Sequence, residues 1–326
     1  MKKIIWGISM LAIFIIACAT TKQSVGTNAG TLQNPLLNSP VHAIIAGSGN
    51  VIYAATEDSG IVRSTDMGSH WEKFSDGMGL PYVSTLAINS RGDIFAATIG
   101  NGIYELPFGA KVWQRADTTL GSNGLLRVAS MIISPVDNSI YAATIEGGVY
   151  RSSDNGASWR LYNEELGILN INTITVTDKN VLYLRCVGGG VFRRGASQPG
   201  NVWKPINEGI DDPYITCLGG QHNGTVFAGT RSGKVYRMTE DELQWRDVSA
   251  GLPPALINCF GSTAWGMEIA GTKQGLYKYD QSAGKWDPMP GVAQTADIQS
   301  IWILLDGTTF AGTENLGIIK TAIPAP

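Results

Sequence analysis

One signature recurs seven times along this chain, and it constrains the fold more than any other feature. It begins "YAATEDSGIVRS" at residue 53 and returns as "FAATIGNGIYEL" at 95, "YAATIEGGVYRS" at 141 and "YLRCVGGGVFRR" at 183. It continues as "FAGTRSGKVYRM" at 227, "IAGTKQGLYKY" at 269 and "FAGTENLGIIKT" at 310. The landmark residue falls at Thr56, Thr98, Thr144, Cys186, Thr230, Thr272 and Thr313, in steps of 42, 46, 42, 44, 42 and 41. A tryptophan follows in six units, at Trp71, Trp113, Trp159, Trp203, Trp245 and Trp286. A fixed period of this length marks a stack of supersecondary units, none of which buries both of its faces alone.

Each unit reads as four short strands. Strand A is apolar and alternating ("VSTLAIN" from 83), and strand B is the aromatic-Ala-Ala/Gly-Thr segment. Strand C is the Gly-Ile/Val-Tyr-Arg segment, and strand D carries the tryptophan. Apolar runs of this length, broken by Gly, Asn, Asp and Pro, are the pattern of antiparallel sheet. Forty glycines in 326 residues exceed the usual share of about 7% and fit a turn-rich chain. The expectation is an all-β fold: a seven-bladed β-propeller of four-stranded antiparallel blades over residues 31–326. The seventh unit stops after "GIIKTAIPAP", with no room for a fourth strand and no tryptophan. Residues 31–36 precede the first strand A at the spacing of a strand D. They are therefore expected to close the last blade and remove its open edges.

Two segments between strands C and D, "STDMGSHW" (64–71) and "SSDNGASW" (152–159), fit S-x-D-x-G-x-x-W. The residues concerned are Ser64, Asp66, Gly68, Trp71, Ser152, Asp154, Gly156 and Trp159. An Asp at such a turn accepts bonds from amides downstream, and the glycine permits positive φ. The pattern resembles the Asp-box, or BNR repeat, of sialidase-type propellers. Sialidases of that kind also carry an Arg-Ile-Pro motif feeding a three-arginine clamp, with a Tyr nucleophile and acidic partners. No Arg-Ile-Pro occurs here, and Arg63, Arg151 and Arg237 recur at one strand C position as a blade feature would. The chain is similar instead to Asp-box propellers of the photosystem II assembly factor and sortilin types, which implies binding of proteins or peptides without catalysis. Xyloglucanase-type relatives use two propellers, and this chain has room for one.

The first residues read as a targeting segment. "MKK" is followed by an apolar run, Ile4 to Ile16, too short to span a bilayer comfortably, and then by Ala17-Cys18. This resembles a bacterial lipobox, which implies a signal peptide over 1–17, lipid on Cys18, and membrane anchoring through it. The alternative is an ordinary secretory signal. Residues 18–30 are small and polar, as a lipidated flexible tether would be. The implied localisation is a bacterial cell envelope, at the outer membrane or cell surface. Cys186, Cys217 and Cys259 are expected to be buried free thiols filling small slots. With three histidines in the chain, neither a metal site nor a cofactor is expected. The net charge of −3 and the lack of a basic run give no expectation of nucleic acid. A monomer is expected.

In this geometry the D–A and B–C loops share one face, and the boxes lie on the other. The candidate ligand face carries Glu57, Asp58, Glu146, Arg231, Lys273 and Glu314 on B–C loops. Tyr82, Arg127, Asp212 and Tyr214 join it on D–A loops. Ring closure brings Glu314 beside Glu57 and Asp58, with Arg231 and Lys273 further round. An acidic sector beside a basic one, with tyrosines, suits a protein, peptide or glycan ligand. His42 is read as lining the axial channel. The principal expectation is a non-catalytic binding or assembly scaffold. The alternative is a cell-surface glycoside hydrolase using Glu314 with Glu57 or Asp58 as its carboxylate pair.

Overall fold

The computed structural model describes residues 30–32, 34–79, 82–116, 127–195, 202–220 and 224–324. The proposed leader, Cys18 and most of the tether lie outside them. The described strands form seven separate four-stranded antiparallel sheets. In blade 1, strands A to D are Val41–Ala46, Ile52–Thr56, Gly60–Ser64 and Glu72–Lys73. The architecture is a seven-bladed β-propeller, as the repeat predicts.

Blade 7 is built from both ends of the described chain. Gly30–Leu32 pairs antiparallel with Ile318–Ala322, in the register Gly30↔Lys320, Thr31↔Ile319 and Leu32↔Ile318. Lys320 adds a bond from its Nζ to the Met67 carbonyl of blade 1 (3.0 Å).

The apolar interior is divided. Among the described residues, buried side chains form seven clusters, each shared by two successive blades. Val41, Ile52 and Val62 of blade 1, for example, pack with Phe310 and Ile318 of blade 7. Strand B lies between these clusters and is buried along its whole length, which explains its composition. Small residues at its centre let sheets approach. A Cβ on Gly229 or Gly271 would stand 2.5 Å from the nearest atom of a packed side chain. The landmark threonine is a turn clamp: Thr98 Oγ1 donates to the Gly102 carbonyl (2.8 Å) and Thr144 Oγ1 to that of Gly148 (2.8 Å).

Five of the six repeat tryptophans fasten their blade to the one before it, whereas Trp71 Nε1 donates to the Gly68 carbonyl of its own box (3.0 Å). The indole Nε1 of Trp113 donates to Phe74 O (2.8 Å), and that of Trp159 to Ala116 O (2.7 Å). Trp203, Trp245 and Trp286 do the same to Tyr162, Ile206 and Val248 (2.7, 2.8 and 2.9 Å). Three residues after the acceptors Phe74, Tyr162, Ile206 and Val248 comes a residue in left-handed conformation: Gly77, Glu165, Gly209 and Gly251. A Cβ on Gly77, Gly209 or Gly251 would come within 2.1–2.2 Å of the next blade's tryptophan carbonyl.

The two S-x-D-x-G-x-x-W segments form compact turns. Asp66 Oδ1 accepts from the amide of His70 (2.8 Å), and Asp154 Oδ1 from that of Ser158 (2.9 Å). Ser64 and Ser152 contribute as much, each taking the amide of the box glycine at 2.8 Å. Gly68 and Gly156 have φ of 92° and 85°, and the preceding Met67 and Asn155 are left-handed too.

Candidate functional site

One hydrogen bond repeats in all seven blades and defines the candidate face. The first amide of each B–C loop donates to the carbonyl of the residue leading into strand A. Glu57 N bonds Pro40 O (3.0 Å), Arg231 N bonds Tyr214 O (2.9 Å), Lys273 N bonds Leu256 O (2.9 Å) and Glu314 N bonds Asp297 O (2.8 Å). Tyr82 and Arg127 serve as acceptors in the same way, to the amides of Ile99 and Ile145. The D–A and B–C loops therefore do lie together.

The residues selected from sequence divide into groups on that face. Arg127 and Glu146 sit on blade 3, both exposed, and Glu146 holds a φ of 81°. Asp212, Tyr214 and Arg231 sit on blade 5. There Asp212 is committed to its own turn, accepting from the Tyr214 amide (3.0 Å) and the Ser232 hydroxyl (2.6 Å). Asp211 beside it is held by Lys234 and Tyr236. Lys273 stands alone on blade 6, and Asp58 donates its amide to Ser39 Oγ (3.2 Å).

Glu57, Tyr82 and Glu314 converge, and the residue that joins them is His42. Strand A of every blade carries a β-bulge after its first residue, at His42, Ser84, Ala129, Asn172, Thr216, Asn258 and Gln299. A bulge re-aims a side chain. Ser84, Thr216 and Asn258 use that to bond the next blade's first strand A carbonyl, at Val128, Ile257 and Ile298. His42 turns elsewhere. Its ring lies 4.7 Å from the ring of Tyr82, its Nδ1 is 3.5 Å from the tyrosine hydroxyl, and its Nε2 is 3.9 Å from Glu57 Oε2.

The electrostatics of this cluster are one-sided. Burial lowers the pKa of His42 despite the raising influence of Glu57 and Glu314. The imidazole is therefore neutral near pH 7. Burial raises the Tyr82 phenol, and the same two carboxylates push it further. No described Lys or Arg side chain forms an ion pair with Glu57 or Glu314. Two carboxylates thus act on a half-exposed aromatic ring, with no Lys or Arg among the described residues paired to them. A cation over a tyrosine face and between carboxylates is the favourable occupant of such a place.

The other end of the axial channel has opposite character. Leu86, Ile88, Met131, Ile133, Val176 and Trp302 line an apolar cavity of about 480 Å³ there. No group of three or more His, Cys, Asp or Glu suited to a metal occurs among the described residues. Cys186 and Cys217 are buried free thiols, and Cys259 is free and half-buried.

No protein-family model matches this sequence, and no curated protein does. Solved structures are similar in fold. YCF48 from Cyanidioschyzon merolae aligns over 90% of this chain and 98% of its own, with a TM-score of 0.69 and 13% identity. YCF48 bound to D1 peptide aligns over 92% and 97%, with a TM-score of 0.72 and 13% identity. The extracellular domain of BT4673 from B. thetaiotaomicron gives 0.75 at 16% identity, and this chain spans 40% of its length. At such identities the likeness is one of fold.

Proposed function

We propose that the protein is an exported, lipid-anchored binding scaffold that holds a cationic segment of a protein or peptide on its D–A/B–C face. The observation that carries this is the meeting of Glu57, Glu314, Tyr82 and neutral His42 at the axial end of that face. Every other bulge side chain with a described bond serves the ring itself or a neighbouring loop. His42 is spent on exposed, charged and aromatic groups instead. A likeness in fold to a propeller solved with a bound peptide supports the reading. Membrane attachment through Cys18 completes it: two or three acyl chains, at about 0.8 kcal/mol per buried CH₂, make an anchor stable.

The test is binding of matched lysine-rich, neutral and acidic peptides to the full chain in detergent, by biolayer interferometry. The lysine-rich series should bind in a salt-dependent manner, and Glu57→Gln/Glu314→Gln should weaken it at least tenfold. Equal binding of acidic peptides, or an unaffected double variant, overturns the proposal. Hydrolysis of a glycan that Glu314→Gln abolishes would replace it with an enzymatic role. Cys18→Ser should release the protein from the membrane fraction.

A further inference from the structure

The repeat has one slot whose occupant is out of character. The residue just before the aromatic or apolar strand B position is Ile52, Ile94, Ile140, Leu182, Val226 and Thr309 in six blades. In blade 6 it is Glu268, 7% exposed in a place built for an aliphatic side chain. A buried carboxyl costs free energy unless something compensates it, so its retention asks for a function.

Its surroundings supply one. Glu268 lines a cavity of about 310 Å³ between blades 5 and 6, on the face opposite the cluster around His42. Ser262 bonds its carboxyl, while Oε2 is buried without a hydrogen-bond partner. Across the gap stands Arg237, half-buried, whose charge offsets part of the burial effect on Glu268 but which has no side-chain hydrogen bond or ion pair among the described residues. The same position elsewhere is satisfied: Arg63 pairs with Glu72, and Arg151 bonds Asp137 (3.3 Å) and Ser139 (2.9 Å). Thr225, Thr239, Asp241 and Gln281 complete the polar wall, with the Tyr279 and Phe227 rings 6.0 Å apart beneath. A second cavity of about 470 Å³ shares Gly266, Tyr279 and Gln281 with the first. It is lined by Trp265, whose indole Nε1 is likewise buried without a partner.

We propose that this gap is a second binding site, for a neutral, hydroxyl-rich ligand of the size of one sugar ring. Donors with no acceptor (Arg237 and, in the adjoining cavity, Trp265 Nε1) lie beside the unpartnered Glu268 Oε2 and aromatic rings. Hydroxyls both donate and accept, so a polyol satisfies both kinds at once. A zwitterionic amino acid is the competing ligand, since it matches Arg237 and an ionised Glu268. Burial disfavours it, because desolvation holds the Glu268 proton up to about pH 7. A protonated carboxyl donates to a sugar hydroxyl, whereas it offers an ammonium a neutral carbonyl oxygen and no countercharge. The site is independent of the peptide-binding reading and tolerates its failure.

The experiment is saturation-transfer NMR of the full chain with a panel of free hexoses, N-acetylhexosamines and pentoses, beside glycine and alanine as zwitterions. At least one sugar should bind saturably, on the order of 1 mM, as ligands of about a dozen heavy atoms do. Glu268→Ile restores the aliphatic residue type of five other blades, so it should leave the fold intact and abolish binding. Arg237→Met should weaken binding at least tenfold, and it decides the matter if Glu268→Ile does not fold. Glu57→Gln/Glu314→Gln should leave sugar binding unchanged. Absence of saturable sugar binding, binding undiminished in Arg237→Met, or binding of the amino acids alone would each overturn the proposal.

Discussion

Replacing Trp245 by Phe tests whether the ring is held by tryptophan latches more than by the boxes. Trp245 is 2% exposed, and its indole donates to Ile206 O at 2.8 Å across the blade boundary. Phenylalanine keeps an aromatic ring but leaves that carbonyl buried without a donor, at a cost of about 1–3 kcal/mol. The missing part of the indole leaves a void of roughly 40 Å³, which at about 24 cal/mol per Å³ adds close to 1 kcal/mol. The expected loss is about 2–4 kcal/mol. Asp154→Ala removes a carboxylate that serves the exposed turn through Ser152 and the Ser158 amide. That resembles loss of a helix N-cap and should cost about 1 kcal/mol. Urea unfolding followed by far-UV circular dichroism reads both without relying on tryptophan emission. With a slope of about 3 kcal/mol per molar, Trp245→Phe should lower the midpoint by about 1 M, and Asp154→Ala by about a third of that. An equal or larger effect of Asp154→Ala would refute the argument that inter-blade bonds dominate.

Four further outcomes follow from the same geometry. Glu165 has a φ of 62° at the position held by Gly77, Gly209 and Gly251, so Glu165→Gly should stabilise the protein by about 1 kcal/mol in the same urea assay. The pKa of Glu268 is raised by burial from 4.5 to about 7, so the folded state holds its proton longer than the unfolded state. Stability should therefore be greatest below pH 4.5 for this group and fall as pH rises to 7, by on the order of 3 kcal/mol, a slope that Glu268→Gln removes. Asp66 moves the other way. The His70 amide and side chain lower its pKa to about 2, so its contribution is complete above pH 3.8 and lost toward pH 2, a loss absent in Asp66→Ala. Burial raises the Cys186 thiol to about 11 and the Cys217 thiol to about 12, so a disulfide reagent should react with them only as the protein unfolds.

The blades and their closure were legible because they follow from strand periodicity and from one missing strand D. The grouping of loops on two faces follows from the same count. Less legible were contacts whose partners lie a blade or a whole ring apart. Nothing local to "PVHAII" says that a bulge turns His42 toward Tyr82, or that Ser300 reaches Val41 O at 3.2 Å. Asp212 read as a free face residue because its claim on Ser232 depends on how two loops fold together. Glu268 was a different kind of miss. Its signal is local, a carboxylate aligned with Ile52, Ile94 and Ile140, but it sits outside the landmark residues that define the repeat. The serines and asparagines after strand D are a similar case. Ser75, Asn163, Asn207 and Ser249 each accept from the second amide of their own strand C, at 2.7–2.9 Å.

The pairing of residues 30–32 with residues 318–320 has a consequence for how the protein is made. On a ribosome adding about 5–20 residues per second, the opening strand waits on the order of 15–60 s for its mate. Throughout that time it hangs ready for any passing β edge, and six blades stand as an unsealed arc. The newborn chain therefore depends on being shielded until its tail emerges, and a stall near the end of translation would leave a more adhesive product than a stall near the start.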